Sequence, residues 1–247
     1  ENNLSIRDDY NKFVRDIRKT RDKTTMIRYE ISKKYLKGRG LEIGAFHAPT
    51  PLADGCEADY LDQMSIDDIK TRFPKYEDYY CVYPNIIENG ELLISIEDNK
   101  YDFLIANHMI EHTENVFKTI QNHLRVLKKG GILYYAVPDK RFTFDKNREL
   151  TTYEHLKAEY LYGSENYRYE HFLDFVTNVQ NVKEEKEASK VAKKLSEEGL
   201  DTHFHVWTSE TFIDHIKKAI DDKILNIEIL EHTHKNDIES ITILKKL

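Results

Sequence analysis

The sequence predicts an α/β protein with a doubly wound sheet of seven strands that includes an antiparallel terminal pair. Short apolar runs alternate with amphipathic stretches between residues 41 and 137, a pattern typical of parallel strands joined by helices. The first of these runs ends at Glu42 and Gly44, where we expect a sharp turn. Two late apolar runs are separated by only a short polar turn, which predicts antiparallel pairing.

Helices are predicted before the sheet begins. Residues 4–38 place apolar side chains at helical spacing, which indicates one or two amphipathic helices, and glycines end the segment. Another helix is expected at 111–128, terminated by Gly130 and Gly131. The core strands of this half are predicted at 41–44, 58–62, 79–83, 101–106 and 132–137.

Residues 139–202 are predicted to form a separate structural segment, more than a loop between a strand and a helix. Residues 139–202 are aromatic, charged and mostly helical in pattern, and they are too numerous for a loop between a strand and a helix. We interpret them as an insertion that covers the open end of the sheet. Its charged part, residues 182–199, predicts a solvated helix. One helix and the two terminal strands then follow, at 209–220, 225–231 and 238–244.

Composition and charge exclude several classes of protein. Hydrophobic residues make up 40% of the chain, enough to fill a large core, which excludes a disordered chain. A net charge of −7 without a Lys/Arg face disfavours nucleic acid as an obligatory partner. No apolar run approaches the ~20 residues that span a bilayer, and the polar residues 1–5 do not predict a signal peptide. With Cys56 and Cys81 expected to be buried, reduced thiols, a cytoplasmic protein is predicted.

The turn after the first strand indicates a cofactor that contains adenosine. Gly44 has no Cβ, so the backbone can pass close to a ligand there. Asp62 lies 20 residues after Glu42 and places a carboxylate where a ribose diol would sit. Gly44 is followed by Phe46 and Ala48, so the G-x-G-x-x-G pattern is absent. A pyrophosphate needs such a glycine-cleared helix start, so a dinucleotide-dependent dehydrogenase is disfavoured.

Three runs extend this pattern into a resemblance to a known family. They are LEIGAFHAP at 41–49, DFLIANHMIEH at 102–112, and PDKRFTFD at 138–145 with Arg148 and His155. With the predicted sheet, they resemble the class I S-adenosylmethionine (SAM) methyltransferases, more closely those of bacterial surface-polysaccharide (capsule or O-antigen) pathways.

The resemblance implies a fold and a reaction. The fold is a Rossmann-like SAM-binding core of residues 39–138 and 203–247, a helical lid of residues 139–202, and an N-terminal helical segment of residues 1–38. The reaction methylates an oxygen or nitrogen atom of a sugar, a nucleotide-sugar or a phosphoryl-containing precursor, and S-adenosylhomocysteine is the product. The alternative is a non-catalytic module of the same fold that binds SAM or a nucleotide. The sequence leaves the acceptor and the oligomeric state open.

The resemblance also places the cofactor on particular residues. Glu42 and Gly44 would form the cofactor turn, Asp62 would bind the ribose, and the polar end of the fourth strand would hold the methionine end. Asn89, with Gly90 beside it, is our candidate for reading the adenine edge. The full set of expected cofactor contacts is Glu42, Gly44, Ala45, Phe46, His47, Asp62, Asn89, Gly90, Asn107 and His108.

Methylation of a hydroxyl group needs a base, and a neutral imidazole is suited to that task near pH 7. We predict His108 or His155 as the base, with His171 and His205 as further candidates. Arg141 leaves the carboxyl end of the fifth strand, where it could orient a polar or phosphorylated acceptor.

A metal site is the alternative use of these histidines. His108, Glu111 and His112 stand at i, i+3 and i+4, and would share one face of a helix. Some SAM-dependent methyltransferases carry a similar E-x-x-E-H motif and a distant histidine, here His171, and hold a divalent metal over the acceptor hydroxyls. The H-x-x-E-H spacing also matches a metalloprotease signature, but it follows a strand end and does not lie within a long helix.

Overall fold

A seven-stranded mixed sheet forms the centre of the protein. The computed structural model describes residues 2–19, 22–235 and 238–247, and across them the strand order is β3-β2-β1-β4-β5-β7-β6. Strands β1 to β5 pair parallel, whereas β7 pairs antiparallel with both β5 and β6. This topology confirms the predicted fold class. The strands are β1 Arg39–Ile43, β2 Glu57–Asp62, β3 Ile86–Ile87, β4 Tyr101–Asn107, β5 Leu127–Pro138, β6 Ile227–Thr233 and β7 Glu239–Lys246.

Helices cover the two faces of this sheet because alternate strand residues point to opposite sides. Leu104 of β4 packs in one apolar cluster, and Ile105 packs in another. The first cluster includes residues of α4 and α8, and the second includes Ile31 of α2. The helices are α1 Asn2–Asp16, α2 Lys23–Tyr35, α3 Ile66–Arg72, α4 Val116–Val126, α5 Tyr153–Tyr162, α6 Arg168–Asn178, α7 Glu185–Glu198 and α8 Ser209–Asp221.

The predicted third strand at 79–83 is wrong. The strand is the short β3, which pairs with β2 through Leu61 and Asp62. The backbone N–H of Tyr83 instead donates to Asn11 Oδ1 at 2.8 Å, and Asn11 Nδ2 donates to the carbonyl of Tyr83 at 2.9 Å. Because a side chain of α1 satisfies this backbone, it needs no neighbouring strand.

The helix predicted at 111–128 is shorter than expected. The side chain of Asn115 accepts a hydrogen bond from the backbone N–H of Lys118 and starts α4 at Val116. The chain enters β5 directly after α4, so the two glycines lie inside a strand. Tyr101 pairs with Leu127 and Phe103 with Ile132, so the extra residues bulge around Gly130, which has φ +76°.

Residues 139–202 are mostly helical, as predicted. The charged helix α7 is not simply solvated, because its Ala188 and Ala192 are buried against Phe172 and Val176 of α6. The division of the chain into core and insertion stays a prediction. Residues 1, 20 and 21 of the predicted N-terminal segment lie outside the described residues, as do 236 and 237 of the predicted polar turn. Within the described ranges, no helix has both the length and the apolar character to cross a bilayer.

Candidate active site

A cavity of about 420 Å³ opens where β1, β2 and β4 end. Ligands of open α/β sheets bind outside the carboxyl ends of the strands, so the cavity lies where the fold predicts a site. Six of the predicted site residues line it: Gly44, Asp62, Gly90, Asn107, His108 and, from the alternative metal site, His112. The opposite wall comes from the insertion and the segment after it, and includes Arg168, Phe172, Asp201 and Phe204.

Gly44 ends β1 with φ +66°, a conformation that favours glycine. A Cβ built there would have no atom within 4 Å, so the backbone is open to the cavity. The next three predicted contacts, Ala45, Phe46 and His47, do not line this cavity. They line an adjoining cavity of about 240 Å³, which also contacts Gly44.

Glu42 also lies outside the larger cavity, at the back of the adjoining one. Its Oε1 accepts a hydrogen bond from the backbone N–H of Thr50 at 2.8 Å, and Asn107 Nδ2 donates to Thr50 Oγ1 at 2.7 Å. Burial raises the pKa of Glu42 to about 7. Through its hydrogen bond with Thr50, Glu42 therefore stabilises the loop that follows Gly44.

Asp62 lines the cavity at the end of β2. Its Oδ1 accepts hydrogen bonds from the backbone N–H groups of Gln63 at 2.7 Å and Met64 at 3.4 Å. Burial raises the pKa of this carboxyl even though the two hydrogen bonds oppose the shift. The result is a half-buried carboxylate, oriented by its own backbone, that can accept hydrogen bonds from a ligand.

The loop after β3 approaches the sheet through Gly90. A Cβ there would lie 2.6 Å from Ile43 Cγ2, so only glycine fits. Asn89 does not line the cavity, because its Oδ1 accepts from the backbone N–H groups of Glu91 and Leu92 and holds the turn. Glu91 lines the cavity instead, and burial, followed by the charge of Glu114, raises its pKa to about 7.

His108 follows β4 with φ +49°, a strained conformation for a residue other than glycine. Its Nε2 lies 2.6 Å from Glu239 Oε2, and the same carboxylate forms a bidentate ion pair with Arg28. Burial opposes ionisation of Glu239, yet the charge of Arg28 and the hydrogen bond with His108 lower its pKa to about 2. The neighbouring Asn107 has a buried Oδ1 that forms no hydrogen bond within the part of the chain that the structure describes.

A group of possible metal ligands borders the cavity. One ligand atom each from Glu111, His112 and His203 lie within 4.8 Å of one another. Both carboxylate oxygens of Glu111 are buried, and no described residue forms a hydrogen bond with them. The Nδ1 atoms of His112 and His203 lie 2.7 Å from Asp201 and 2.6 Å from Asp145. Carboxylates that hold the second ring nitrogen in this way are typical of metal-binding histidines.

The other predicted residues lie elsewhere. His155, His171 and His205 do not line the cavity but surround Glu159, so His171 cannot complete a metal site with Glu111 and His112. The sequence could not reveal this separation, because it depends on how the insertion packs.

Arg141 was predicted to orient the acceptor, but it lies outside the cavity. It forms a bidentate ion pair with Asp139 and also contacts Glu210. Half-exposed and already paired with two carboxylates, it is a surface group that connects the end of β5 to α8.

Several residues that line or support the site were missed. Gln63 and Met64 directly follow Asp62, so their position could have been predicted from that neighbour. Arg168 and Phe172 stand one turn apart on α6, a spacing that places them on one face. The sequence contains no pattern that indicates a site role for Glu239, because only the pairing of β7 with β5 brings this residue to the edge of the cavity.

The chain is similar to solved structures over most of its length. A SAM-dependent methyltransferase from Aquifex aeolicus is 10% identical, with 96% of this chain and 98% of that chain covered and a TM-score of 0.49. A SAM-dependent methyltransferase from Methanosarcina mazei is 20% identical, with 89% and 98% covered and a TM-score of 0.47. The PH0226 protein from Pyrococcus horikoshii OT3 is 15% identical, with 92% and 93% covered and a TM-score of 0.49.

Sequence comparison adds a relative and a family. The uncharacterized protein MJ1123 of Methanocaldococcus jannaschii is 30% identical over 139 residues, which cover 53% of this chain and 62% of that protein. The chain thus spans less than two thirds of the length of this curated relative. A family model described as a methyltransferase domain matches residues 37–219. The matched region contains β1 to β5, the turn at Gly44, the carboxylate of Asp62 and helices α5 to α7.

Proposed function

The chain belongs to the methyltransferase domain family, and on that basis we propose that it transfers a methyl group from SAM to an oxygen or nitrogen atom of a polar small molecule. One observation carries the proposal. The cavity at the carboxyl ends of β1, β2 and β4 brings together an open glycine turn, Gly44, a half-buried carboxylate, Asp62, and a strained histidine, His108.

The residues present fit an adenosyl cofactor. Asp62 would accept hydrogen bonds from the ribose hydroxyls, and Gly90 with Glu91 would border the adenine. The buried Oδ1 of Asn107 has no hydrogen-bond partner in the described ranges and would accept a hydrogen bond from the amino group of the methionine end. We retain Ala45, Phe46 and His47 as contacts for that end, because their cavity adjoins Gly44. Glu42 and Asn89 position the backbone of the site.

Bound SAM supplies an electrophilic methyl group, so the protein must align the acceptor and exclude water. We assign the base to His108, because it lines the cavity and its Nε2 is held by Glu239. With the proton on Nε2, the lone pair of Nδ1 can take the acceptor proton. We do not assign this role to His155, His171 or His205, because none of them lines the cavity.

The wall formed by the insertion suits a sugar or phosphoryl acceptor. Phe172 and Phe204 offer apolar faces, and Arg168, held at 2.8 Å from Glu114, offers a guanidinium group. Together with the resemblance of the runs at 102–112 and 138–145, these side chains support a sugar, nucleotide-sugar or phosphorylated precursor of a bacterial surface polysaccharide as the acceptor.

We also propose a divalent metal beside the acceptor, held by Glu111, His112 and His203, with His203 in place of the predicted His108 and His171. Two histidines and Glu111 would hold it and leave further coordination positions open. Calorimetry with Mn²⁺ in the presence of S-adenosylhomocysteine tests this site. Glu111→Gln should bind one equivalent of Mn²⁺ less than the wild type and leave binding of S-adenosylhomocysteine unchanged. Equal metal heats for both proteins would reject the site.

Calorimetry on the purified chain tests the cofactor. SAM and S-adenosylhomocysteine should both bind, and Asp62→Ala should weaken both at least about tenfold, the loss expected for about 1.4 kcal/mol of hydrogen bonding. Asp67→Asn, an exposed change in α3, is the matched control and should bind like the wild type. If neither ligand binds the wild-type chain, the proposal fails. Turnover of a sugar or nucleotide-sugar then identifies the acceptor class.

A further inference from the structure

Four side chains of the insertion and the segment after it converge at a point outside the methyl-transfer cavity. His155 and Glu159 stand one turn apart on α5, His171 lies on α6, and His205 precedes α8. One ligand atom from each lies within 4.8 Å of all the others. Three separate segments therefore meet at these residues, which we call the His3Glu cluster.

Hydrogen bonding alone does not satisfy the His3Glu cluster. Glu159 Oε1 lies 2.6 Å from His171 Nε2 and 3.1 Å from His155 Nε2, so two imidazoles direct the same ring atom at one oxygen. Glu159 Oε2 is buried and has no hydrogen-bond partner among the described residues. Native structures rarely leave buried polar atoms unpaired, and a bound ion is one recognised reason for an exception.

The spacing of the atoms matches metal coordination. Tetrahedral zinc sites have metal–ligand bonds of about 2.0–2.1 Å, which places neighbouring ligand atoms about 3.3 Å apart. His155 Nε2 lies 3.3 Å from His171 Nε2, and His205 Nε2 lies 3.4 Å from Glu159 Oε2. The contact of 2.6 Å between His171 Nε2 and Glu159 Oε1 would have to lengthen from a hydrogen bond.

We propose that the His3Glu cluster binds one divalent transition-metal ion, for which Zn²⁺ is the best fit. Three imidazoles and one carboxylate suit zinc, whereas Mg²⁺ and Ca²⁺ take oxygen ligands. Four protein ligands complete a tetrahedral shell and leave no open position, so the site is structural. Three of the four residues are buried, which also protects the ion from water.

The ion would fasten the acceptor side of the cavity. Two ligands of the His3Glu cluster adjoin residues that line the cavity. His171 lies between Arg168 and Phe172 on α6, and His205 directly follows Phe204. Joining α5, α6 and this segment would hold the cavity wall in place. The site is separate from Glu111, His112 and His203, which share no ligand with it.

Metal content tests the proposal without any need for activity. The full chain is stripped with a chelator, dialysed against micromolar Zn²⁺ and analysed for zinc per chain. The double variant His171→Ala/His205→Ala should hold one equivalent less than the wild type, whereas Glu111→Gln/His203→Ala should retain that equivalent. His215→Ala, a buried histidine outside both groups, is the matched control and should bind like the wild type.

X-ray absorption of the zinc-loaded Glu111→Gln/His203→Ala protein provides a second measurement that does not depend on whether the His171 variant folds. It should show three imidazole nitrogens and one oxygen at about 2.0–2.1 Å. An unchanged zinc content in a folded His171→Ala/His205→Ala protein would overturn the proposal. So would the absence of bound zinc, or fewer than three imidazoles, in the protein measured by absorption.

Discussion

Two glycines in the cavity wall are needed for different physical reasons. Gly44 has a positive φ and empty space around its Cβ position, whereas Gly90 has no positive φ but meets Ile43 at 2.6 Å. The first is therefore a requirement of the backbone and the second a requirement of packing. The chemistry of the ligand demands neither glycine by itself, although both shape the surface that the ligand contacts.

Substitution separates these two requirements. Gly44→Ala should cost about 1–2 kcal/mol through its left-handed conformation, and Gly90→Ala should cost about 1–3 kcal/mol through overpacking. Asparagine tolerates the left-handed region, so Gly44→Asn should recover part of the loss, whereas Gly90→Asn should lose more than Gly90→Ala. Urea unfolding of the ligand-free proteins measures all four values. Equal behaviour of the two asparagine variants would contradict the distinction.

Burial of Glu42 should make the stability of the protein depend on pH. Its pKa of about 7 in the folded state lies above the unfolded value of about 4.3. The folded state then binds more protons, so this contribution is present below about pH 4.3 and is lost as the pH rises through 7. Glu42→Gln should flatten that fall between pH 5 and 7.5 in urea unfolding. The comparison isolates Glu42, because Glu91 titrates in both proteins.

At the scale of elements, helix α7 has a charged face towards solvent and a buried face that packs against α6. Ala188 and Ala192 face α6, which bears Phe172. Gly199 ends the helix in a left-handed conformation, and the residues after it, Leu200 and Asp201, line the cavity. The position of this wall should therefore depend on the contact between α6 and α7.

A larger side chain in that contact should loosen the insertion. Ala192→Leu should lower the free energy of unfolding by about 1–3 kcal/mol, because the buried site has no room for three more carbons. Lys193→Leu adds an apolar side chain at an exposed neighbouring position and should change stability little. Hydrogen exchange should show faster opening of α6 and α7 in the first variant alone. Unchanged exchange would mean that the two helices are not coupled.

The sequence predicts those elements whose signals are local. Apolar runs identify β1, β2, β4 and β5, and the same local reasoning places Gly44 and Asp62 at one edge. The prediction of a strand at 79–83 is wrong because the backbone of Tyr83 bonds to Asn11 of α1, a distant partner that the local pattern does not reveal. His203 and Glu239 are missed as site residues for the same reason, since the fold alone brings them beside residues near 110.

For the whole molecule, one buried ion pair joins the two ends of the chain at the site. Arg28 of α2 donates to both carboxylate oxygens of Glu239 on β7, at 2.9 and 2.6 Å, and the same carboxylate contacts His108. The N-terminal helices are therefore connected to the proposed base through a single carboxylate. Removing either charge should affect both stability and the site.

Arg28→Met should destabilise the protein by about 3–5 kcal/mol, because it leaves the buried Glu239 without its cation. The double variant Arg28→Met/Glu239→Gln removes both charges and should recover more than half of that loss.

The pKa of Glu239, about 2 when folded, lies below the unfolded value of about 4.3. Its contribution is therefore present above pH 4.3 and lost as the pH falls towards 2. Urea unfolding at pH 7 and pH 3 measures this, and Arg28→Met should show a smaller acid loss than the wild type. A loss below 1 kcal/mol for Arg28→Met at pH 7 would mean that water, and not Arg28, stabilises the carboxylate that holds His108.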